Sequence, residues 1–103
     1  MNEQSLSLRL TRVGEQIPDQ ARLADIGSDH AYLPVALMLQ NKIQYAVAGE
    51  VVKGPFESAS RQVKKNGLSD KITVRLADGL AAIHPDDQID TVVIACLLYT
   101  SDA

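Results

Sequence analysis

Three short stretches of this 103-residue chain carry the side chains that could do chemistry: Asp25-Ile26-Gly27-Ser28-Asp29-His30-Ala31-Tyr32, Gly49-Glu50-Val51, and Asp78-Gly79-Leu80. Each joins a carboxylate to a glycine where an apolar run ends. In open parallel sheets that is where ligands bind, beyond the carboxyl ends of the strands and near the point where strand order reverses. Glu50 follows Gly27 by 23 residues, close to the spacing at which an acid ending a second strand accepts from a ribose diol.

Charge narrows the ligand. A dinucleotide sets its pyrophosphate on a Gly-x-Gly-x-x-Gly turn whose backbone N–H groups approach the phosphates. Here the second glycine is replaced by Asp29, which repels a pyrophosphate and blocks close approach. S-adenosylmethionine has no phosphate and carries a sulfonium and an ammonium, so carboxylates favour it. On this reading Gly27 lets the backbone pass beneath the methionine part, Glu50 accepts from the ribose hydroxyls and Asp78 contacts the adenine amine.

The elements that must position these groups follow from periodicity. Leu6, Leu10, Val13 and Ile17 form one apolar stripe, predicting a helix over about Ser5–Gln16 that ends before Pro18. Leu23–Ile26 and Tyr45–Ala48 read as buried strands. Between them Pro34 suits the first turn of a helix that is apolar nearly all round from Val35 to Leu39. A third helix takes Pro55 near its start, buries Phe56, Ala59 and Val63, pairs Glu57 with Arg61, and ends at a cap glycine, Gly67. Ile72, Val74 and Leu76 alternate as a third strand. A short turn over Leu80–Ile83 and the Pro85-Asp86-Asp87 turn lead to a fourth strand, Ile89–Ala95.

Alternation of strands and helices with short links predicts an α/β, Rossmann-like, doubly wound parallel sheet with helices on both faces, in one domain over residues 1–95. The tail, residues 96–103, breaks the pattern. It resembles a translated transposon-end adapter and is read as non-native; the fourth strand would then expose an unpaired apolar edge open to self-association.

Ten Lys+Arg against 13 Asp+Glu leave a net charge of −3, which argues against a general nucleic-acid sponge. A local basic face remains open, because Lys53, Arg61, Lys64, Lys65, Lys71 and Arg75 place six of the ten basic residues in one span. No stretch approaches a membrane span, and Glu3 and Arg9 interrupt any apolar signal core. A single cysteine, Cys96, makes neither an internal disulfide nor a cysteine-built metal site, so no metal is expected and a cytoplasmic location fits.

The stretches Ala24–Pro34, Ala48–Pro55 and Asp78–Leu80 resemble the tRNA (adenine-N1)-methyltransferases that act on position 22 of bacterial tRNA, the TrmK family. The resemblance runs from about Leu6 to Ala95 and corresponds to the first half of such an enzyme, a class I methyltransferase domain of about four strands. It implies S-adenosyl-L-methionine as cofactor, tRNA as partner, and cofactor contacts from Asp25, Gly27, Ser28, Glu50, Val51, Asp78 and Gly79. Adenine N1 carries a lone pair and no proton, so alignment matters more than a strong base. The product is a cation, which Asp29 could stabilise, with His30 and Tyr32 beside it; Tyr32 could stack on a turned-out base. The family continues with a Gly-Met-Gly-Gly segment and a helical part. Here Cys96-Leu97-Leu98 follows instead, so the chain is expected to be inactive alone. Two other readings use the same residues: half of an NAD-type oxidoreductase, from Glu50, and a non-enzymatic module that pairs through its sheet edge.

Overall fold

The computed structural model describes residues 3–28, 30–94 and 97–100. In chain order its elements are α1 (Glu3–Gln16), β1 (Ala21–Ile26), α2 (Tyr32–Leu39), β2 (Ile43–Glu50), α3 (Lys53–Lys65), β3 (Ile72–Leu76), two 3-10 turns (Gly79–Ala82 and Pro85–Asp87), β4 (Thr91–Ile94) and β5 (Leu97–Thr100). The strands form one sheet in the order β3-β2-β1-β4-β5. β1 to β4 are mutually parallel, and winding reverses at β1, which pairs with β2 on one side and β4 on the other. That reversal is the doubly wound pattern expected from the alternation.

All three α-helices pack on one face of the sheet. Leu23, Ala46, Ala48, Ile72 and Val93 from the strands meet Ile17 at the end of α1, Leu33, Val35, Leu37 and Met38 of α2, and Ala59 and Val63 of α3. Each buried Leu, Ile, Val or Met of this set contributes roughly 1.5–3 kcal/mol relative to exposure, and each alanine methyl less. Helices were expected on the opposite face too. There the cover is the pair of 3-10 turns, with Ala24, Ile26 and Ala82 as a smaller core against Ile83, Ile89, Val92 and Ile94.

Helix ends follow the residues. Gly67, at φ +70°, closes α3: its N–H reaches the Lys64 carbonyl at 3.0 Å and the Leu68 N–H reaches the Val63 carbonyl at 3.0 Å, the two bonds of a Schellman cap. Inside α3, Glu57 pairs back to Lys53 at 4.0 Å rather than forward to Arg61, the less favourable of the two orientations for neighbours one turn apart.

The unpaired edge expected along the fourth strand is not there. β5 runs antiparallel along β4 from Ile94↔Leu97 to Thr91↔Thr100, so the backbone groups on that side of β4 face a partner strand. The sequence pattern hid this because an antiparallel return needs only a tight reversal and no crossover helix. The side chain of Cys96 lies outside the described residues.

Candidate functional site

The strands end together, and the site forms where they end. An open hollow of about 230 Å³ lies between Ile26 and Gly27 after β1, Gly49 and Val51 after β2, Ala77, Asp78 and Gly79 after β3, and Ile94 at the end of β4. It thus sits at the reversal of strand order, where a parallel sheet leaves room between diverging connections.

Gly27 turns the chain out of β1 at φ +72°, and nothing lies within 4 Å of where a Cβ would stand. Both its N–H (2.8 Å) and that of Ser28 (3.3 Å) are held by the Gly49 carbonyl, tying the first turn to the end of β2. The requirement at Gly27 is conformational, and the space above its backbone stays open. Ser28 is buried and its Oγ donates to Asp25 Oδ2 at 3.0 Å, so this acid serves the turn from beneath.

The alternation of a strand decides where the other acids point. Asp25 and Glu50 fall on the helix-bearing face, both about 5–6% exposed. Asp78 is exposed, follows β3 directly and lines the hollow; its side chain does not cap the 3-10 turn that starts there. Of the seven residues expected on a cofactor, Gly27, Val51, Asp78 and Gly79 therefore border the hollow, while Asp25, Ser28 and Glu50 are buried and do not border it. Val51 is 64% exposed and gives the hollow an apolar side.

Of the expected base-facing trio, His30 and Tyr32 stand together. Asp29 lies outside the described residues. His30 Nδ1 is hydrogen-bonded to the Ser58 hydroxyl of α3. Its ring centroid is 5.4 Å from that of Tyr32, with a 35° interplanar tilt. Tyr32 does not border the hollow; it lines a separate groove of about 270 Å³ between α1 and α2, with Leu10, Thr11 and Gly14. His30 and Ala31 are consecutive non-glycine residues in the left-handed region, φ 66° and 60°. Such conformations cost about 1 kcal/mol or more each and persist only where surrounding structure enforces them.

One residue assigned to the basic span has another role. Arg75 on β3 is drawn into the structure, its Nη1 2.5 Å from Asp87 Oδ2 and its Nη2 2.9 Å from Oδ1. It cannot reach out to phosphates. The guanidinium hydrogen bonds hold the Asp87 carboxyl down at about 2, against the opposing effect of burial. Along the chain nothing marks this pairing, which needs Arg75 on the face of β3 toward the 3-10 turns and Asp87 in the second of them.

A family model described as TrmK, tRNA (adenine(22)-N(1))-methyltransferase, matches residues 23–97. The chain belongs to this family. A Bacillus subtilis tRNA (adenine(22)-N(1))-methyltransferase is 53% identical over 95 residues, which cover 92% of this chain and 40% of that protein. Among solved structures, a Streptococcus pneumoniae protein in complex with S-adenosyl-L-methionine is 49% identical with TM-score 0.83, over 85% of this chain and 41% of that one. TrmK of M. capricolum, in complex with S-adenosylhomocysteine, is 38% identical with TM-score 0.77, over 84% and 39%. The chain thus spans about two fifths of the length of these TrmK relatives. The matched span contains every described residue that borders the hollow. Among the described residues no group of acids, histidines or cysteines could hold a metal ion, and no helix is long and apolar enough to cross a membrane.

Proposed function

We propose that this chain is the cofactor-binding part of a tRNA adenine-N1 methyltransferase that takes S-adenosylmethionine in the strand-end hollow and acts on tRNA in the cytoplasm. The observation that carries the reading is the hollow itself, walled by the ends of all four parallel strands with Gly27 and Asp78 on opposite sides. Its residues suit such a cofactor. The Gly27 turn is open, so a ligand can lie on bare backbone, and Asp78 puts a carboxylate beside the apolar surfaces of Ile26, Val51 and Ala77. That combination accepts a flat base with an amine edge.

When bound, S-adenosylmethionine supplies the methyl group, its sulfonium leaving as a neutral thioether. The chain's own residues bind and orient. Asp78 accepts from the adenine amine and the Gly27–Ser28 turn, braced by Asp25, carries the methionine part; Glu50, buried on the helix-bearing face at the end of β2, accepts from the ribose hydroxyls once its side chain turns toward the hollow. Negative charge at these strand ends favours a cationic ligand over a phosphorylated one. Tyr32, 44% exposed and stacked near His30, offers a ring to the target base, while His30 is oriented by Ser58. Adenine N1 needs no general base, so alignment is the main demand on these groups.

Calorimetric titration of the 103-residue chain tests the reading. Binding of S-adenosylmethionine and S-adenosylhomocysteine, with none of NAD, is the expected result. Preference for NAD, or indifference to all three at millimolar ligand, would overturn it.

A further inference from the structure

The side of the hollow formed by Ala77, Asp78 and Gly79 belongs to a segment with little secondary structure of its own, running from the end of β3 to the start of β4. Its backbone is tied to the sheet at its two ends, by the Ala77 N–H to the Glu50 carbonyl at 2.9 Å and the Asp90 N–H to the Arg22 carbonyl at 2.9 Å, and internally by turn bonds such as the Ala81 N–H to the Asp78 carbonyl at 3.1 Å and the Ile83 N–H to the Leu80 carbonyl at 3.0 Å. Between those ends, side chains add the hold. Ile26, Gly49 and Arg75 stand side by side across β1, β2 and β3 and face this segment. Arg75 Nη1 donates to the Ala82 carbonyl at 2.8 Å as well as to Asp87. Asp87 in turn accepts from the His84 N–H at 2.7 Å, and its own carbonyl accepts from Arg22 Nε at 2.9 Å. The Tyr45 hydroxyl completes the cluster, 2.8 Å from Thr73 Oγ1 and 3.5 Å from Asp87 Oδ1, with the Arg22 guanidinium 4.7 Å from its ring centroid.

Two planar groups facing each other through paired hydrogen bonds fix orientation as well as distance, which a single point charge does not. We infer that Arg75 and Asp87 form a positioning clamp that sets the Ala77–Ala82 wall at the spacing the adenine end of the cofactor requires. This rests on the cofactor reading above and adds to it residues that never touch the ligand. Arg75 holds the middle of the segment, at Ala82 and at Asp87, so loss of the pair frees the Ala82 end of the wall while leaving the helix-bearing face of the sheet intact.

The test uses Asp87→Asn, Arg75→Met and the charge-conserving Arg75→Lys in the 103-residue chain. It reads backbone hydrogen exchange together with S-adenosylhomocysteine affinity at a temperature where each variant is folded. The expected result is exchange at the Ala81 and Ile83 amides accelerated about tenfold or more, with amides of Leu23 to Asp25 unchanged, and affinity weakened by about the same factor. Arg75→Lys, which keeps the charge without the fork, should recover only part of either change. Unchanged exchange at Ala81 and Ile83, uniform acceleration throughout the sheet, or local acceleration with undiminished affinity would each overturn the inference. If the unsubstituted chain fails to bind S-adenosylhomocysteine, the cofactor reading falls and the clamp's role with it, a result told apart because it appears before any substitution.

Discussion

Ala82 rests on Gly49 so closely that a Cβ built on the glycine would lie 2.9 Å from the Ala82 Cβ and 3.3 Å from Ile26 Cδ1. The absent side chain at the end of β2 is therefore the space in which the first 3-10 turn is seated. Gly49 also supplies the carbonyl that holds the Gly27 and Ser28 amides. One residue thus joins the two walls of the hollow, the turn after β1 and the segment after β3.

Gly49→Ala should consequently push the 3-10 turn away from the sheet and destabilise the chain by about 1–3 kcal/mol, the range typical of an overpacked core. Because the conflict is with one methyl group, Ala82→Gly in the same chain should restore part of the loss. Urea unfolding of the two single variants and the double variant measures both effects; additive losses would contradict the contact.

The Arg75–Asp87 pair makes stability depend on acid. The folded-state carboxyl is lowered from 3.8 to about 2 by the guanidinium, so its contribution is present above the unfolded value and is lost as pH falls through about 2. Melting temperature should drop between pH 4 and pH 2. Asp87→Asn, less stable at neutral pH, should show a shallower decline over the same interval, and parallel curves would refute the assignment.

Gly67→Ala should separate stability from the site. Placing a Cβ at φ +70° costs about 1 kcal/mol by the usual penalty for the left-handed region, at a helix end remote from the hollow. Thermal unfolding should record that loss while calorimetry finds S-adenosylhomocysteine affinity within about twofold of the unsubstituted chain, less than 0.5 kcal/mol.

Glu50→Gln keeps the shape of a buried side chain and removes its charge. If Glu50 accepts from a ribose diol, affinity for S-adenosylhomocysteine should fall about tenfold, the scale of one charge-assisted hydrogen bond. Tyr32→Ala, at the α1–α2 groove, should leave that affinity within about twofold. Comparable losses from both substitutions would argue against the division of roles between hollow and groove.

The pattern of residues was enough to determine the order of elements, the parallel arrangement of four strands and the cap at Gly67, because these depend on local periodicity and on backbone preferences of glycine and proline. It also picked out the turns that border the hollow, since turns after successive parallel strands must come together at one end of a sheet. Which way each side chain points there was a different matter. Strand register turns Asp25 and Glu50 to the helix-bearing face, whereas Asp78, beyond the end of β3, is set on the hollow by the course of its loop. Arg75 reads along the chain as one more member of a basic span; in the fold it meets Asp87 of the second 3-10 turn, twelve residues later, and becomes an internal tether. Likewise nothing near Gly49 announces Ala82, and nothing in the fourth strand announces that β5 will return along it. Periodicity reports a residue's relation to its own element, whereas partners across the sheet are chosen by packing between segments far apart in the chain.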